Sequence, residues 1–183
     1  MNRASTLLKH FLLLFLFLAA GGAETRASDA IETAGTALSV ALPLLGGAMT
    51  LRNDDADGRV QLAEALALTA GVTYGLKYFI DATRPNGGKH SFPSAHTSVS
   101  FAAADFIGRR YGWNYGIPAY AAAGFVGYSR VEANAHHRYD VVAGAALGIL
   151  SDVLFTSRFD DRGVKISVLP VDDGATLRLS YAW

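Results

Sequence analysis

Three short stretches hold most of the side chains in this 183-residue sequence that could do chemistry in concert. "KYFIDATRP" carries Lys77, Arg84 and Pro85, "FPSAHTS" carries Pro93, Ser94 and His96, and "SRVEANAHHRYD" carries Ser129, Arg130, His136, His137 and Asp140. Taken singly, each has a plain structural reading. Arg-Pro marks a helix stop before a loop, Pro-Ser opens a helix, and a His and an Asp four apart can be a surface pair. Taken together they resist it. The chain is 51% hydrophobic and only 17% charged, so cations set among apolar residues need a common counter-charge, because burying them unpaired is costly. Phosphate fits: Arg offers paired donors, Lys a point charge, and a helix N-terminus its free N–H groups. Ser94, just behind Pro93, stands where a helix start would offer both a hydroxyl and an N–H.

The elements that must position these residues read as helices. Five apolar segments (Ile31–Leu51, Arg59–Ile80, Thr97–Arg110, Ile117–Ser129 and Tyr139–Phe155) are rich in Ala, Leu and Gly. Several exceed a typical strand, which predicts helix. The runs "AYAAAGFVG" and "VVAGAALG" let helix backbones approach closely. Thr33–Leu51 and Tyr111–Ser129 are each 19 residues without a charge, near the roughly 20 needed to span a bilayer. The second has Asn114, Gly116 and Pro118 near its start, and the remaining segments carry Glu64, Lys77, Asp105 and Asp152. A compact bundle therefore fits better than a full set of spans, with membrane contact through the first helix left open. In the tail, "VKISVLPV", "DDG" and "ATLRLSYAW" alternate apolar and polar residues around a turn, which predicts a β-hairpin packed on the bundle. The expected fold is mainly α: five to six helices with a C-terminal β-hairpin.

The first residues have the pattern of a leader. Arg3, Lys9 and His10 precede "FLLLFLFLAA", and small residues follow up to Ala23. This predicts a secretory signal peptide over 1–23, since ten apolar residues are too few for a span. The expected domains are then a bundle over 24–160 and a hairpin over 161–183. Cleavage would remove Arg3 and Lys9 and no acid, leaving 14 basic and 16 acidic residues. That balance argues against nucleic acid as a partner. The chain has no cysteine, so an exported fold would use no disulfide.

The spacing of the three stretches resembles the type-2 phosphatidic acid phosphatase and vanadium haloperoxidase superfamily. Its tripartite pattern is Lys, six residues, Arg-Pro; then Pro-Ser-Gly-His; then Ser-Arg, five residues, His, three residues, Asp. "KYFIDATRP" and "SRVEANAHHRYD" match at full spacing, and "PSAH" departs only at Ala95. The resemblance runs from Lys77 to Asp140. It implies His136 as the nucleophile, and on a helix Asp140 would lie one turn away on the same face, able to hold the imidazole. His137 would point about 100° around that helix, lining the rim or serving structure. The implied reaction is a double displacement through a phosphohistidine. Lys77, Arg84 and Arg130 would bind the phosphate, with Ser94 and the N–H of Ala95. His96 would protonate the leaving group and then activate water. The same resemblance implies no metal and no cofactor. At position 95 the extra methyl is harmless if the backbone angle is negative.

The substrate class expected is a phosphate monoester, or a lipid phosphate or pyrophosphate, handled outside the cytoplasm by an exported, periplasmic enzyme with membrane-surface contact. The aromatics near the motifs, Tyr78, Phe79, Phe92, Tyr111, Trp113 and Tyr115, would either line a lipid-facing mouth or fill the core. Two other readings compete. A vanadate-dependent haloperoxidase would use the same anion cradle. A non-catalytic calcium-binding envelope protein would draw on "NDDADGRVQLAE", where Asn53, Asp55, Asp57, Gly58 and Glu64 follow the EF-hand loop offsets apart from Asn at the first. The plain alternative for that stretch is a turn capping the helix that begins near Arg59.

Overall fold

The computed structural model describes residues 27–159, 165–171 and 174–180, the last two segments for their backbone only. The expected leader over 1–23 lies outside the described residues. Five helices follow one another: α1 (Ala27–Arg52), α2 (Ala56–Phe79), α3 (Ala95–Tyr111), α4 (Trp113–Glu132) and α5 (Arg138–Val153). Three of the expected helical segments fall within one helix each, while Arg59–Ile80 and Tyr139–Phe155 overrun the ends of α2 and α5 by one and two residues. Their ends follow local chemistry. The Asp55 side chain caps α2 by accepting from the Gly58 N–H at 2.8 Å. Gly112, at φ 96°, separates α3 from α4 in a conformation that favours glycine. A capping box of His137 and Asp140 starts α5.

Helix α3 runs through the middle and packs against each of the other four. Phe106, Ile107, Ala103 and Ala104 from α3 meet Leu42 of α1, Leu62 of α2 and Ala119 and Ala123 of α4 in the core. The small residues of α5 set the closest approach: a Cβ on Gly148 would lie 2.2 Å from the carbonyl oxygen of Ser98, and one on Gly144 would lie 2.6 Å from that of Ser94. This contact brings the first turn of α5 beside the first turn of α3, where the Ser94 N–H donates to the Asp140 carbonyl at 3.0 Å.

Two of the charges that interrupt the apolar segments, Asp105 and Asp152, are partnered. Asp105 accepts from Arg109 at 2.5 Å and from Tyr120. Burial, together with Asp105 beside it, pushes Asp152 up to about 8.

At the end of the bundle away from the sequence motifs, Asp55 is clamped. Arg110 reaches both of its oxygens, at 2.5 and 2.8 Å, and the Tyr111 hydroxyl donates at 2.8 Å. Both carboxylate oxygens are therefore committed to the fold, and the loop that the competing calcium reading would draw on has its Asp55 tied to Arg110. Burial alone would raise the Asp55 pKa, but the bonds from Arg110, Gly58 and Tyr111 hold it below the ordinary carboxylate range. Its stabilisation is present above the unfolded pKa and is lost as pH falls through the folded one. Replacing Arg110 by Met strands this carboxylate. The expected cost is about 3–5 kcal/mol, read as a lowered Tm that partly recovers when Asp55 is also changed to Asn.

The expected fold class needs one correction. The packed fold is a helical bundle alone, and the β-hairpin expected to pack on it is not part of that body as described. Residues 165–171 and 174–180 form a local ribbon, β1 (Lys165–Val171) antiparallel to β2 (Gly174–Ser180), with Ile166 opposite Leu179 and Val168 opposite Leu177. Their side chains lie outside the described residues. The physical reason is that alternation along a tail dictates local pairing but not docking. The helices complete the core around α3 by themselves, and a two-stranded ribbon is marginal on its own.

Candidate active site

The residues of the three motifs gather at one end of the bundle. They come from the C-terminal turns of α2 and α4, the N-terminal turns of α3 and α5, and the segments leading into α3 and α5. Lys77, in the last turn of α2, donates from Nζ to the carbonyl oxygens of His90 at 2.7 Å and Ser91 at 3.3 Å. Burial, and then the charge of Arg84, bring its pKa down to about 8. Arg84 sits in the loop after α2, with Nε on the Lys89 carbonyl at 3.1 Å. Arg130, in the last turn of α4, is buried. It donates to Ser129 Oγ at 3.1 Å and to the Glu32 carbonyl of α1 at 2.6 Å.

Ser94 is the N-cap of α3, but its side chain does not bond the first-turn N–H groups. Its Oγ instead accepts from Thr97 at 3.0 Å, so the hydroxyl proton and the first-turn N–H groups stay available to an anion. Ala95 opens α3 and has no positive φ. The methyl that departs from the family pattern is therefore unstrained. His96, one residue on, is held below its ordinary pKa by burial, then by Arg130 and Arg84.

His136 is buried, 3% exposed, and burial with Lys77 and Arg84 beside it pushes its pKa down to about 4. It is neutral at physiological pH and keeps a nitrogen lone pair. Its placement corrects one expectation. His136 does not lie on a helix with Asp140 one turn on: α5 begins at Arg138, and His136 sits in the segment before it. His136 Nδ1 is 3.7 Å from Asp140 Oδ2, beyond hydrogen-bond range. Asp140 Oδ2 instead accepts from the Ser91 hydroxyl at 2.6 Å and the His137 N–H at 2.8 Å. His137 is accordingly the N-cap of α5, stacked on Tyr139 with ring centroids 4.9 Å apart. The reason is local: Asp at N3 can close a capping box, and that starts the helix after His136.

The structure thus brings together Lys77, Arg84, Ser94, Ala95, His96, Arg130, His136 and Asp140, and adds Ser91, Glu32 and Gly35. Ser91 is fully buried. Its hydroxyl lies 3.4 Å from His136 Nδ1 as well as against Asp140. Gly35 lets α1 reach the site, since a Cβ there would lie 1.9 Å from Ser129 Oγ. Ser91 had a weak signal, a hydroxyl three residues before Ser94. Glu32 had none, being 98 residues from Arg130 in sequence.

Among known proteins, the sequence model of the PAP2 superfamily matches residues 86–163. The chain is 33% identical over 130 residues to a lipid A 4'-phosphatase of Helicobacter pylori, across 64% of this chain and 66% of that protein. It is 39% identical over 100 residues to a lipid A 1-phosphatase of Porphyromonas gingivalis, across 51% of this chain and 22% of that protein. The chain therefore spans just under two thirds of the first relative and about a fifth of the second. The crystal structure of Aquifex aeolicus LpxE superposes with a TM-score of 0.62 at 25% identity, covering 78% of this chain and 92% of that one. That of a transmembrane PAP2-type phosphatidylglycerolphosphate phosphatase from Bacillus subtilis, at 24% identity and a TM-score of 0.51, shares the fold.

Proposed function

The chain belongs to the PAP2 superfamily, and from that premise we propose that it is a phosphatase hydrolysing a lipid phosphate or pyrophosphate through a phosphohistidine at His136. One observation carries the reading: a buried, neutral histidine, His136, sits beside Lys77 and Arg84, and His96 in the first turn of α3 faces Arg130 and Arg84. Such a nucleophile needs an electrophile whose negative charge the cations neutralise, and a phosphoryl group is that electrophile. His136 Nε2 attacks phosphorus in line. The bond to the leaving oxygen breaks, and His96 gives that oxygen its proton. His96 then takes a proton from water, the hydroxide oxygen bonds to phosphorus, the P–N bond breaks, and phosphate leaves with His136 neutral again. Lys77, Arg84, Arg130 and the first-turn N–H groups of α3 stabilise the equatorial oxygens throughout. Phosphate binding itself raises the His96 pKa toward the range a general acid needs, because its charge offsets Arg130 and Arg84.

A lipid substrate is supported by the names of the relatives and by the outer surface. Tyr74, Tyr78 and Phe79 of α2, Tyr128 of α4 and Tyr139 of α5 are exposed near the site. Trp113 and Tyr115 are exposed near the opposite end, with Val40, Leu44, Ile117, Val142 and Leu150 on the helices between. Aromatic side chains at two levels flanking aliphatic ones suit a membrane and its interfaces. Helix α1 is also long and apolar enough to cross a bilayer by length and composition. Export under the 1–23 leader, with the site on the outer side, completes the reading.

The test is phosphate release by the full chain in mixed micelles containing EDTA, from lipid A, from phosphatidate and from a soluble aryl phosphate. Turnover of a lipid well above that of the aryl ester is expected; release from none of the three would sink the proposal. The pH profile of kcat/KM checks the roles separately. The rate should rise through about 4 as His136 in the free enzyme loses its proton. It should fall in two stages: first below the ordinary His range as His96 deprotonates, then through about 8 as Lys77 loses its charge. Lys77→Arg should remove the second stage and leave the acid limb in place.

A further inference from the structure

Resting on that reading, we infer that Ser91 is a positioning residue that links His136 to Asp140 and fixes which imidazole nitrogen attacks. Asp140 is the expected orienter, yet its Oδ2 is 3.7 Å from His136 Nδ1 and already accepts the Ser91 hydroxyl and the His137 N–H. Its other oxygen, Oδ1, is buried and unpartnered. The Ser91 hydroxyl fills the gap, at 2.6 Å from Asp140 Oδ2 and 3.4 Å from His136 Nδ1.

Proton counting decides the direction. An ionised carboxylate only accepts, so Ser91 spends its single proton on Asp140. Toward His136, Ser91 Oγ can then only accept, which requires the proton of the neutral imidazole on Nδ1. The lone pair is left on Nε2, the nitrogen that attacks. When the imidazole becomes cationic on phosphorylation, the same chain passes the Asp140 charge to it through one hydroxyl. Ser91 and Asp140 are both fully buried, so water does not readily take the place of the hydroxyl. The other groups facing His136 are Lys77, Arg84 and the backbone carbonyl of Ser91. The two cations offer it no acceptor and cannot fix the tautomer, and the carbonyl is kept in Ser91→Ala, so that variant tests the hydroxyl alone.

The experiment compares wild type with Ser91→Ala and Ser91→Thr, by steady-state kinetics and by 15N NMR of histidine-labelled protein without substrate, with His136→Gln identifying the resonance. Ser91→Ala should lower kcat by about 10²-fold with KM within about twofold. It should also move the His136 nitrogens from a single Nδ1–H tautomer to a mixture. Ser91→Thr, which keeps the hydroxyl, should restore both. An unchanged tautomer in Ser91→Ala overturns the inference whether or not kcat falls, since a purely structural loss would lower the rate without moving the proton. Because the NMR comparison uses no substrate, it stands even if wild type releases no phosphate, an outcome that would sink the phosphatase reading alone.

Discussion

Replacing His136 by Ala should reduce phosphate release by about 10⁴-fold or more while leaving the fold intact. Removing a nucleophile leaves only the rate supplied by binding and charge stabilisation. The side chain is buried without being part of the apolar core, and it meets Ser91 through a hydroxyl at 3.4 Å and through the backbone, so its loss should cost little stability. Two measurements make the result specific. Acid-labile phosphate should be trapped on wild type during turnover and be absent from the variant. Added imidazole, filling the vacated space, should return part of the rate. His137→Ala is the contrast: it loses the N-cap of α5 and its stacking on Tyr139, so it should lower Tm and keep most of the activity. If His137→Ala were the inactive variant instead, the nucleophile would be misassigned.

The second large effect is expected at Arg130. Arg130→Met should lower kcat/KM by about 10²–10³-fold, the scale of a single preorganised donor set in a dry site. Arg130→Lys should recover little of it. The guanidinium is held by Ser129 Oγ through Nε and by the Glu32 carbonyl through Nη2. A point charge cannot keep both anchors and still present a fork to two phosphate oxygens. The Glu32 side chain adds a further consequence. Its Oε1 is 3.7 Å from Arg130 Nη1, and it is 47% exposed, so in the empty site it partly neutralises the cation that phosphate would use. Kinetics of the two Arg130 variants at several salt concentrations check the claim. Recovery by Lys to near wild-type rates would mean that only charge, and not the fork, matters there.

Much of this was legible in the sequence, for an identifiable reason. Five helices were readable because long runs rich in Ala, Leu and Gly favour helix regardless of context, and the starts of α3 and α5 carry their own capping residues. The chemical groups were readable because Lys77, Arg84, Arg130, His96 and His136 are conspicuous in an apolar chain and keep fixed spacings. The harmlessness of Ala95 followed once its position was known to be a helix start, where φ is negative. Spacing misled where one local rule overrode another. Four residues from His136 to Asp140 suggested a helical turn, but the capping box starts α5 after His136, and the carboxylate reaches the imidazole region from N3.

What only the tertiary structure decided are contacts between residues far apart in sequence. Ser91 meets Asp140 across 49 residues, Glu32 meets Arg130 across 98, and Asp55 meets Arg110 across 55. No local pattern encodes them, because they arise from how closely the helices pack, and that is set where Gly35, Gly144 and Gly148 leave room for a neighbouring element. The tail shows the same limit from the other side. Its alternation pairs β1 with β2, but pairing says nothing of docking, and among the described residues α3 packs against the other four helices. The sequence alone determined the helices and the reactive groups; packing decided which atoms of those groups meet.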